Sequence, residues 1–286
     1  MRRIRGFTLV ELIVVIVLLS IMSLVSVKFI ANIAEGYVDS SRRQNMADVT
    51  QLAIERIGRE LRNALPNSVR VSNDASTSCI EFIPVLGASS YEGLPVTAAS
   101  DTFTAIPLGA GAITRWQAGQ PLYVAVYPIT ETDLYRVEDD TVVAQLNNAQ
   151  TFINAMNEAD PTASFTATLS DTHQFPTESP SARFYVVGSP VSYCLRTTTG
   201  DLYRYENYFS AGTAFFSTQP MIAQLPNSEP NRALLANGIS TVSSNPTFAS
   251  LEISLQRNAL VVFDMQVSDA GESVRIQHVV QVRNAP

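Results

Sequence analysis

Few residues of this 286-residue chain are of the kinds that bind metals or perform catalysis. There are two histidines, two cysteines and one tryptophan, and Lys28 is the single lysine beside 18 arginines. His173 and His278 stand far apart, and no H-E-x-x-H, C-x-x-C, G-x-S-x-G or Walker A sequence occurs. The recognisable zinc-peptidase, thiol-redox, serine-hydrolase and P-loop signatures are therefore missing. We therefore expect that the protein is not an enzyme and that it binds no cofactor.

The distribution of charge limits the partners further. The first 70 residues carry a net charge of +4, and the remainder carries −11. Phosphate binding needs clustered cations, so the acidic part is not expected to bind nucleic acid. The triplet Glu138-Asp139-Asp140 lacks the spaced oxygen ligands of a calcium loop. It is more simply a solvated turn, and no metal site is predicted.

Charged residues are missing from Leu12 to Val27. The apolar segment 7–27 is long enough for one transmembrane helix. Three arginines precede it, and the positive-inside rule then keeps the N-terminus cytoplasmic and exports the rest of the chain. No small-x-small cleavage site follows the segment, so an ordinary secretory signal peptide fits poorly.

Glu11 is the one charge inside the apolar segment. A carboxylate within a bilayer costs about 2.5–3.5 kcal/mol on insertion scales and indicates a function. A plain signal anchor would account for the hydropathy but would leave Gly6 and Glu11 unexplained. The acid suggests that the segment also serves outside the lipid.

The string Gly6-Phe7-Thr8-Leu9-Val10-Glu11-Leu12 resembles the prepilin leader of type IV pilins and type II secretion pseudopilins. The resemblance implies that a membrane prepilin peptidase cuts between Gly6 and Phe7 and methylates the new amine of Phe7. Residues 1–6 would be the cleaved leader. Glu11, one helical turn further on, would pair with the amine of a neighbouring subunit and set the register of assembly, because a paired charge tolerates burial better than a lone one.

The helical pattern continues beyond the membrane segment. An apolar stripe recurs every three or four residues up to Pro66, and comprises Met46, Val49, Ala53, Ile57, Leu61 and Leu65. One helix from Phe7 to Leu65 would be about 90 Å long. We expect residues 28–65 to form a periplasmic amphipathic half that packs on the chain's own globular part. The half up to Ala34 contains no proline and would pack among subunits.

Residues 66–286 are predicted to form a β-rich head of one or two domains. Short apolar or alternating runs predict strands, and Thr199-Gly200-Asp201 between two of them predicts a hairpin turn. Segments 171–181 and 217–231 are predicted loops, and 147–158 a short helix. The predicted strands are 68–71, 79–83, 122–127, 183–187, 192–196, 202–205, 251–255, 260–265 and a last one from 274 onward. The predicted fold class is α+β, a long helical stem packed on a mostly antiparallel, pilin-like head.

Cys79 and Cys194 both lie in predicted strands. An exported head permits a disulfide between them, and two buried free thiols are the alternative.

The stem sequence 53–68 and the C-terminal sequence 274–286 resemble the J-type minor pseudopilins and the PilW-like minor pilins, in particular MSHA pilus biogenesis proteins of the MshO type. The resemblance implies a subunit of a type IV pilus, in the inner membrane or at the pilus tip. Its partners would be the prepilin peptidase, other minor pilins, the major pilin, an inner-membrane assembly platform and membrane lipid. A J-like subunit of a type II secretion system and a tip adhesin for a surface carbohydrate remain the alternatives.

Overall fold

The structure is a computed structural model that describes residues 7–135, 141–158, 160, 162–209, 217–240, 245–251 and 259–282. It begins with one helix, α1, from Leu9 to Leu61, which at 53 residues is about 80 Å long. Antiparallel β-sheets follow, so the predicted α+β class is confirmed. The predicted leader 1–6, the acidic triplet 138–140 and most of the predicted strand 251–255 lie outside the described residues.

Most of the remaining elements are short strands, and the last two strands are the longest, with 11 residues each. In chain order they are β1 (Arg70–Asn73), β2 (Thr77–Phe82), β3 (Val85–Gly93), β4 (Ser100–Ala105), β5 (Tyr123–Val126), α2 (Glu131–Leu134), β6 (Val143–Gln145), α3 (Ala149–Met156), β7 (Phe165–His173), β8 (Arg183–Val187), β9 (Val191–Arg196), β10 (Asp201–Tyr205), β11 (Arg232–Ala236), β12 (Ile239–Ser240), β13 (Phe248–Leu251), β14 (Ala259–Asp269) and β15 (Glu272–Val282).

Two sheets share a core with the second half of α1. One has the strand order β1-β2-β9-β10-β11, and in the other β14 pairs with β12, β13 and β15. Buried residues of α1, namely Met46, Ala53, Ile54, Ile57 and Leu61, pack against apolar side chains of both sheets. The stem therefore supplies part of the core of the head.

A third sheet, with the order β6-β5-β8-β3-β4-β7, curls until its two edges meet. Leu146, just beyond β6, forms an isolated bridge with Leu169 of β7, and the Asn147 N–H donates to the Thr168 carbonyl at 3.1 Å. Its interior is filled by an apolar cluster to which α3 contributes Phe152, Ile153 and Met156. The opposite face, through residues such as Tyr123 and Tyr185, packs against Leu65 at the end of the stem.

The predicted list of residues in the apolar stripe of the stem is partly wrong. Val49 is 44% exposed, whereas Thr50, Ile54 and Gly58 are buried. At 100° per residue the buried face is centred near Thr50 and Ile57, and Val49 lies about 80–100° from that centre, so its spacing of three from Met46 was misleading.

The predicted helix end at Leu65 is also wrong, by about one turn. After Leu61 the chain tightens, because the Ala64 N–H donates to the Leu61 carbonyl at 3.0 Å. The Leu65 N–H then donates to the Ile83 carbonyl at 2.8 Å. Backbone pairing with the corner between β2 and β3 replaces the helical bonds.

Most predicted strands exist, with ends shifted by at most four residues, and α3 lies within the predicted helix 147–158. The turn ending at Gly200 joins β9 to β10, as predicted. The sequence did not predict β3, β4, β6, β7, β11 and β12, and β7 runs into the segment 171–181 that was predicted as a loop. These strands are rich in Ser, Thr, Ala and Gly, so their apolar alternation is weak.

Candidate assembly site on the stem

The first turn of α1 is fixed by a side-chain cap. Thr8 has an extended backbone, and its Oγ1 accepts a hydrogen bond from the Glu11 N–H at 3.3 Å. A carboxylate in the first turn is favoured by the unpaired N–H groups and the positive end of the helix dipole. Thr8 and Glu11 therefore stabilise a helix start directly after Phe7.

Phe7 and Glu11 are both exposed on the stem. They are four residues apart, which is one helical turn. Across the part of the chain that the structure describes, no basic side chain pairs with the Glu11 carboxylate. The acid is thus available to a cation from outside the subunit. Gly6, the predicted cleavage residue, lies outside the described residues.

The stem is bare from its start to Val38. Nearly all its large apolar residues there are exposed, from Leu9 through Phe29 and Ile33 to Val38. By length and composition α1 could cross a membrane, and none of its most apolar stretch is buried in the subunit. Residues 9–41 form a rod of about 50 Å that the head does not cover.

The head first contacts the stem at the tip of the β14–β15 hairpin. Arg42 Nε lies 3.3 Å from Asp269 Oδ2, and Arg43 Nη2 lies 2.6 Å from Glu272 Oε2. The hydrogen bond and charge of Arg43 lower the pKa of the Glu272 carboxyl. Further along, a Cβ placed on Gly58 would lie 3.1 Å from Val280 Cγ2, so α1 and β15 pack closely here.

A disulfide joins two neighbouring strands within the head. Cys79 in β2 and Cys194 in β9 stand directly opposite in the antiparallel ladder, with Cα atoms 4.1 Å apart, and their sulfurs are bonded. This confirms the predicted bridge. It joins positions 115 residues apart and locks the centre of the five-stranded sheet.

A buried ion pair beside the disulfide was missed from the sequence. Arg70 Nε donates to Glu81 Oε2 at 3.0 Å, the Tyr208 hydroxyl donates to Glu81 Oε1 at 3.1 Å, and the Arg70 guanidinium stacks 3.5 Å from the centre of the Tyr135 ring. Burial raises the pKa of Glu81 to about 7, against the opposing effects of Arg70 and Tyr208. The acid within the apolar run Ile80-Glu81-Phe82 was the available signal. The cluster fastens β1 to β2.

A cavity of about 330 Å³ lies where the end of the stem meets the five-stranded and the six-stranded sheets. Its wall includes Trp116, the side chains of Arg59 and Arg115, and the buried Ser189. The Ser189 hydroxyl is buried without a hydrogen-bond partner among the described residues. The same residues contain no group of three or more His, Cys, Asp or Glu side chains placed to hold a metal ion.

Comparison with protein families gives a match to the start of the chain. Residues 1–27 match the prokaryotic N-terminal methylation motif. No curated protein and no solved structure matches the chain. The chain therefore carries a type IV pilin-like prepilin leader, followed by a helix that can cross a membrane and a disulfide-containing antiparallel head.

Proposed function

We propose that this protein is a minor pilin-like subunit that helps to start or cap an MSHA-type type IV pilus. The observation that carries the proposal is the methylation motif at the end of a bare apolar rod of about 50 Å. A protein that stayed in the bilayer would need the rod but neither the motif nor Glu11. A subunit that leaves the bilayer to join a bundle of helices needs all three.

The chemistry at the stem follows from its charges. Cleavage after Gly6 by the prepilin peptidase gives Phe7 a cationic amine, which is then methylated. Glu11 lies one turn away, and in a bundle of parallel stems it accepts the amine of a neighbouring subunit. Pairing offsets part of the cost of holding either charge in a low-dielectric core, and it fixes the axial offset between the two helices. The role is structural and requires no catalysis by this chain.

The subunit begins in the inner membrane, with a cytoplasmic N-terminus and a periplasmic head, in line with the arginines of the leader. Its partners are other minor pilins, the major pilin, the assembly platform and membrane lipid. The head, from residue 66 onward, is large, which suits a tip position where its bulk does not repeat around the filament.

The proposal is tested by deleting the gene and counting surface filaments. Wild-type protein returned to these cells should restore the filaments, and mass spectrometry should find a mature chain that begins at methylated Phe7. A Gly6→Val variant should remain unprocessed and should not restore them. Normal filament numbers in the deletion strain would contradict the proposal.

A role as a J-like pseudopilin in type II secretion predicts a different phenotype of the same deletion. Exported proteins would accumulate inside the cell, while the number of long surface filaments would not change. The identity of the pilins that co-purify with the subunit separates the two systems.

A second candidate function is a tip adhesin, and the cavity beside Trp116 favours it. An aromatic ring with charged and amide side chains around it is suited to holding a polar ring such as that of a carbohydrate. A Trp116→Ala variant would then reduce attachment to surfaces while leaving the filament count unchanged. Attachment equal to that of the wild type would remove this candidate.

A further inference from the structure

We infer that the outer edge of β15 is a docking site for an extended strand of a different pilin-like subunit. The inference rests on the proposed function and names a contact that the stem alone does not supply. Among the described residues β15 pairs with β14 and with no other strand. It has 11 residues, and so does β14.

The register of the hairpin determines which backbone groups are free. Ala270 and Gly271 have positive φ values of 48° and 88°, as in a two-residue turn of the type that matches strand twist. The closing pair Asp269 and Glu272 is then hydrogen bonded, and hydrogen-bonded pairs alternate along the ladder. The groups that point away from β14 belong to the odd-numbered residues Ser273, Arg275, Gln277, Val279 and Gln281.

These five residues are all exposed, and Val279 is 55% exposed. None of their outward N–H or C=O groups has a backbone partner within the described segments. Each could therefore bond to an added strand. An edge that is long, regular and exposed is a template for pairing with another chain.

Two common protections of a sheet edge, proline and a β-bulge, are missing from β15, and the charge of its Arg275 is paired with Asp264 of β14. It contains no proline and no lysine, and its register with β14 continues without a shift from Ala259 to Asp269. Elsewhere in the head the β3–β4, β4–β7 and β10–β11 pairings all have register shifts, and the six-stranded sheet closes on itself. Proteins normally protect a long edge unless another chain uses it.

The direction of β15 relates the edge to the stem. Glu272 at its start is paired with Arg43, and Val280 near its end packs against Gly58, so β15 runs in the same direction as α1. The start of the strand is the end nearer the bare half of the stem. A neighbour whose stem packs beside this half brings its own head level with β15.

The occupant is not a second copy of this chain. Antiparallel pairing of β15 with the same strand of a second copy would reverse one stem relative to the other. Two stems that leave one membrane side by side cannot be reversed in this way. This excludes the symmetric antiparallel contact between two copies of β15; the proposed contact is heterologous, between this edge and a different strand of another subunit.

The exposed side chains define the chemistry of that strand. Val279 and its cross-strand neighbour Val262 form an apolar spot on the outer face, with Leu260 beside it. In strand addition the backbone supplies affinity, and contacts of alternate side chains supply specificity. The added strand should carry an apolar residue opposite Val279, with polar residues on either side.

The test uses the full chain in cells that assemble filaments. A photoreactive amino acid at Gln281 reports the neighbour at the edge, and mass spectrometry identifies the cross-linked protein. Val279→Pro removes one outward N–H group at an edge position where proline is tolerated. Val279→Thr keeps the N–H and the β-branched shape and is the matched control. Val279→Lys places a charge on the edge without changing the backbone, and it decides the test if the proline variant does not fold.

We expect the wild type and Val279→Thr to cross-link to another protein with a prepilin leader. Val279→Pro and Val279→Lys should lower that cross-link at least tenfold, with processing at Phe7 unchanged. Equal cross-linking in all four proteins, or a cross-link to a second copy of this chain, would overturn the inference. If deletion of the gene leaves filament numbers normal, the proposed function fails; if deletion removes filaments and folded Val279→Pro and Val279→Lys restore them fully, this inference alone fails.

Discussion

At the scale of single residues, three carboxylates in apolar or buried surroundings have three different roles. Glu81 is paired inside the head with Arg70. Asp264 lies on the outer face of its sheet, where it is almost fully buried beneath Arg275, Gln277 and Asn245. Glu11 has no such partner among the described residues, and in the proposed function its partner is the amine of a neighbouring subunit.

Asp264 provides a test of the hairpin. Its hydrogen bonds, above all to Arg275 Nε at 2.8 Å, lower the pKa of its carboxyl. Because the folded pKa lies below the unfolded value, the stabilisation is full above pH 4–5 and is lost as the pH falls through the folded pKa. Asp264→Asn should lower the free energy of unfolding at pH 7 by about 1.5–3 kcal/mol.

The measurement is denaturant unfolding of the detergent-solubilised chain at pH 7 and pH 3. The difference between variant and wild type should shrink in acid. Asp269→Asn, which removes an exposed partner of Arg42, should change stability by less than about 1 kcal/mol. A difference for Asp264→Asn that grows in acid would contradict this account of the ion pair.

Gly58 tests the packing of the stem on β15. A Cβ there meets Val280 Cγ2 at 3.1 Å, so Gly58→Leu would overpack the contact and cost about 1–3 kcal/mol. Gly36 has nothing within 4 Å of an added Cβ and lies in the half of the stem that the head does not cover, so Gly36→Leu should leave the unfolding midpoint of the head unchanged. Unfolding of both variants in detergent checks the pair, and equal effects would show that the contact at Gly58 is not tight.

The disulfide is expected to be a major contribution to the stability of the head. It joins residues 115 apart, and the chain-entropy relation gives about 4–5 kcal/mol for a loop of that size. Cys79→Ser/Cys194→Ser should unfold at lower denaturant, with or without reductant. Wild type should match the double variant only after reduction. A wild-type midpoint that does not respond to full reduction would contradict this contribution.

At the scale of elements, the stem has two halves with different dependence on the head. Its buried residues begin at Met46, and its first ion pairs to the head are at Arg42 and Arg43. Everything before Val38 is supported by its own helical bonds and by whatever surrounds it. The subunit itself does not cover this apolar surface, and an exposed apolar surface of this size marks a contact with lipid or with other proteins.

A fragment from Asp39 to Pro286 tests this division. Because no described contact to the head is lost, it should be soluble without detergent and should unfold cooperatively at nearly the same denaturant concentration as the full chain. Near-UV circular dichroism follows the unfolding. A fragment with native helix content but no cooperative transition would show that the bare half of the stem supports the head.

The sequence predicted elements well where one physical signal dominated. The apolar rod, the hairpin turn ending at Gly200 and the strand Arg183–Val187 have strong periodicity or turn chemistry. Weakly apolar strands such as β3 and β7 were missed because pairing and curvature of the sheet, rather than their own composition, make them strands. The helix end at Leu61 was set by backbone pairing of Leu65 with Ile83, which a helix pattern does not contain, whereas the exposure of Val49 follows from its angle on the helix.

The features of the candidate site and of the proposed docking edge also differ in whether the sequence alone could reveal them. Phe7 and Glu11 could be found from the sequence because leader, aromatic residue and acid have a fixed spacing. The free edge of β15 could not, because an edge exists only once the strand order is known. The pair of Arg70 and Glu81 likewise required the register of β1 on β2.

At the scale of the whole molecule, the chain combines a β-rich head with a rod that the head does not cover. The prepilin-type motif accounts for the sequence at the start of the rod, since cleavage before Phe7 would convert a membrane anchor into an assembly element. In that account the bilayer and the filament cover the same apolar surface in turn. Under the proposed function Glu11 would distinguish the two environments, because lipid offers its carboxylate no cation and the amine of a neighbouring subunit would.

The most direct measurement is the amount of this protein in sheared surface filaments relative to the membrane, for the wild type, Glu11→Ala and Glu11→Gln. All three proteins should be processed at Phe7 and inserted equally, and both variants should be depleted from the filament fraction by at least tenfold. Incorporation of Glu11→Ala at the wild-type level would contradict this expectation.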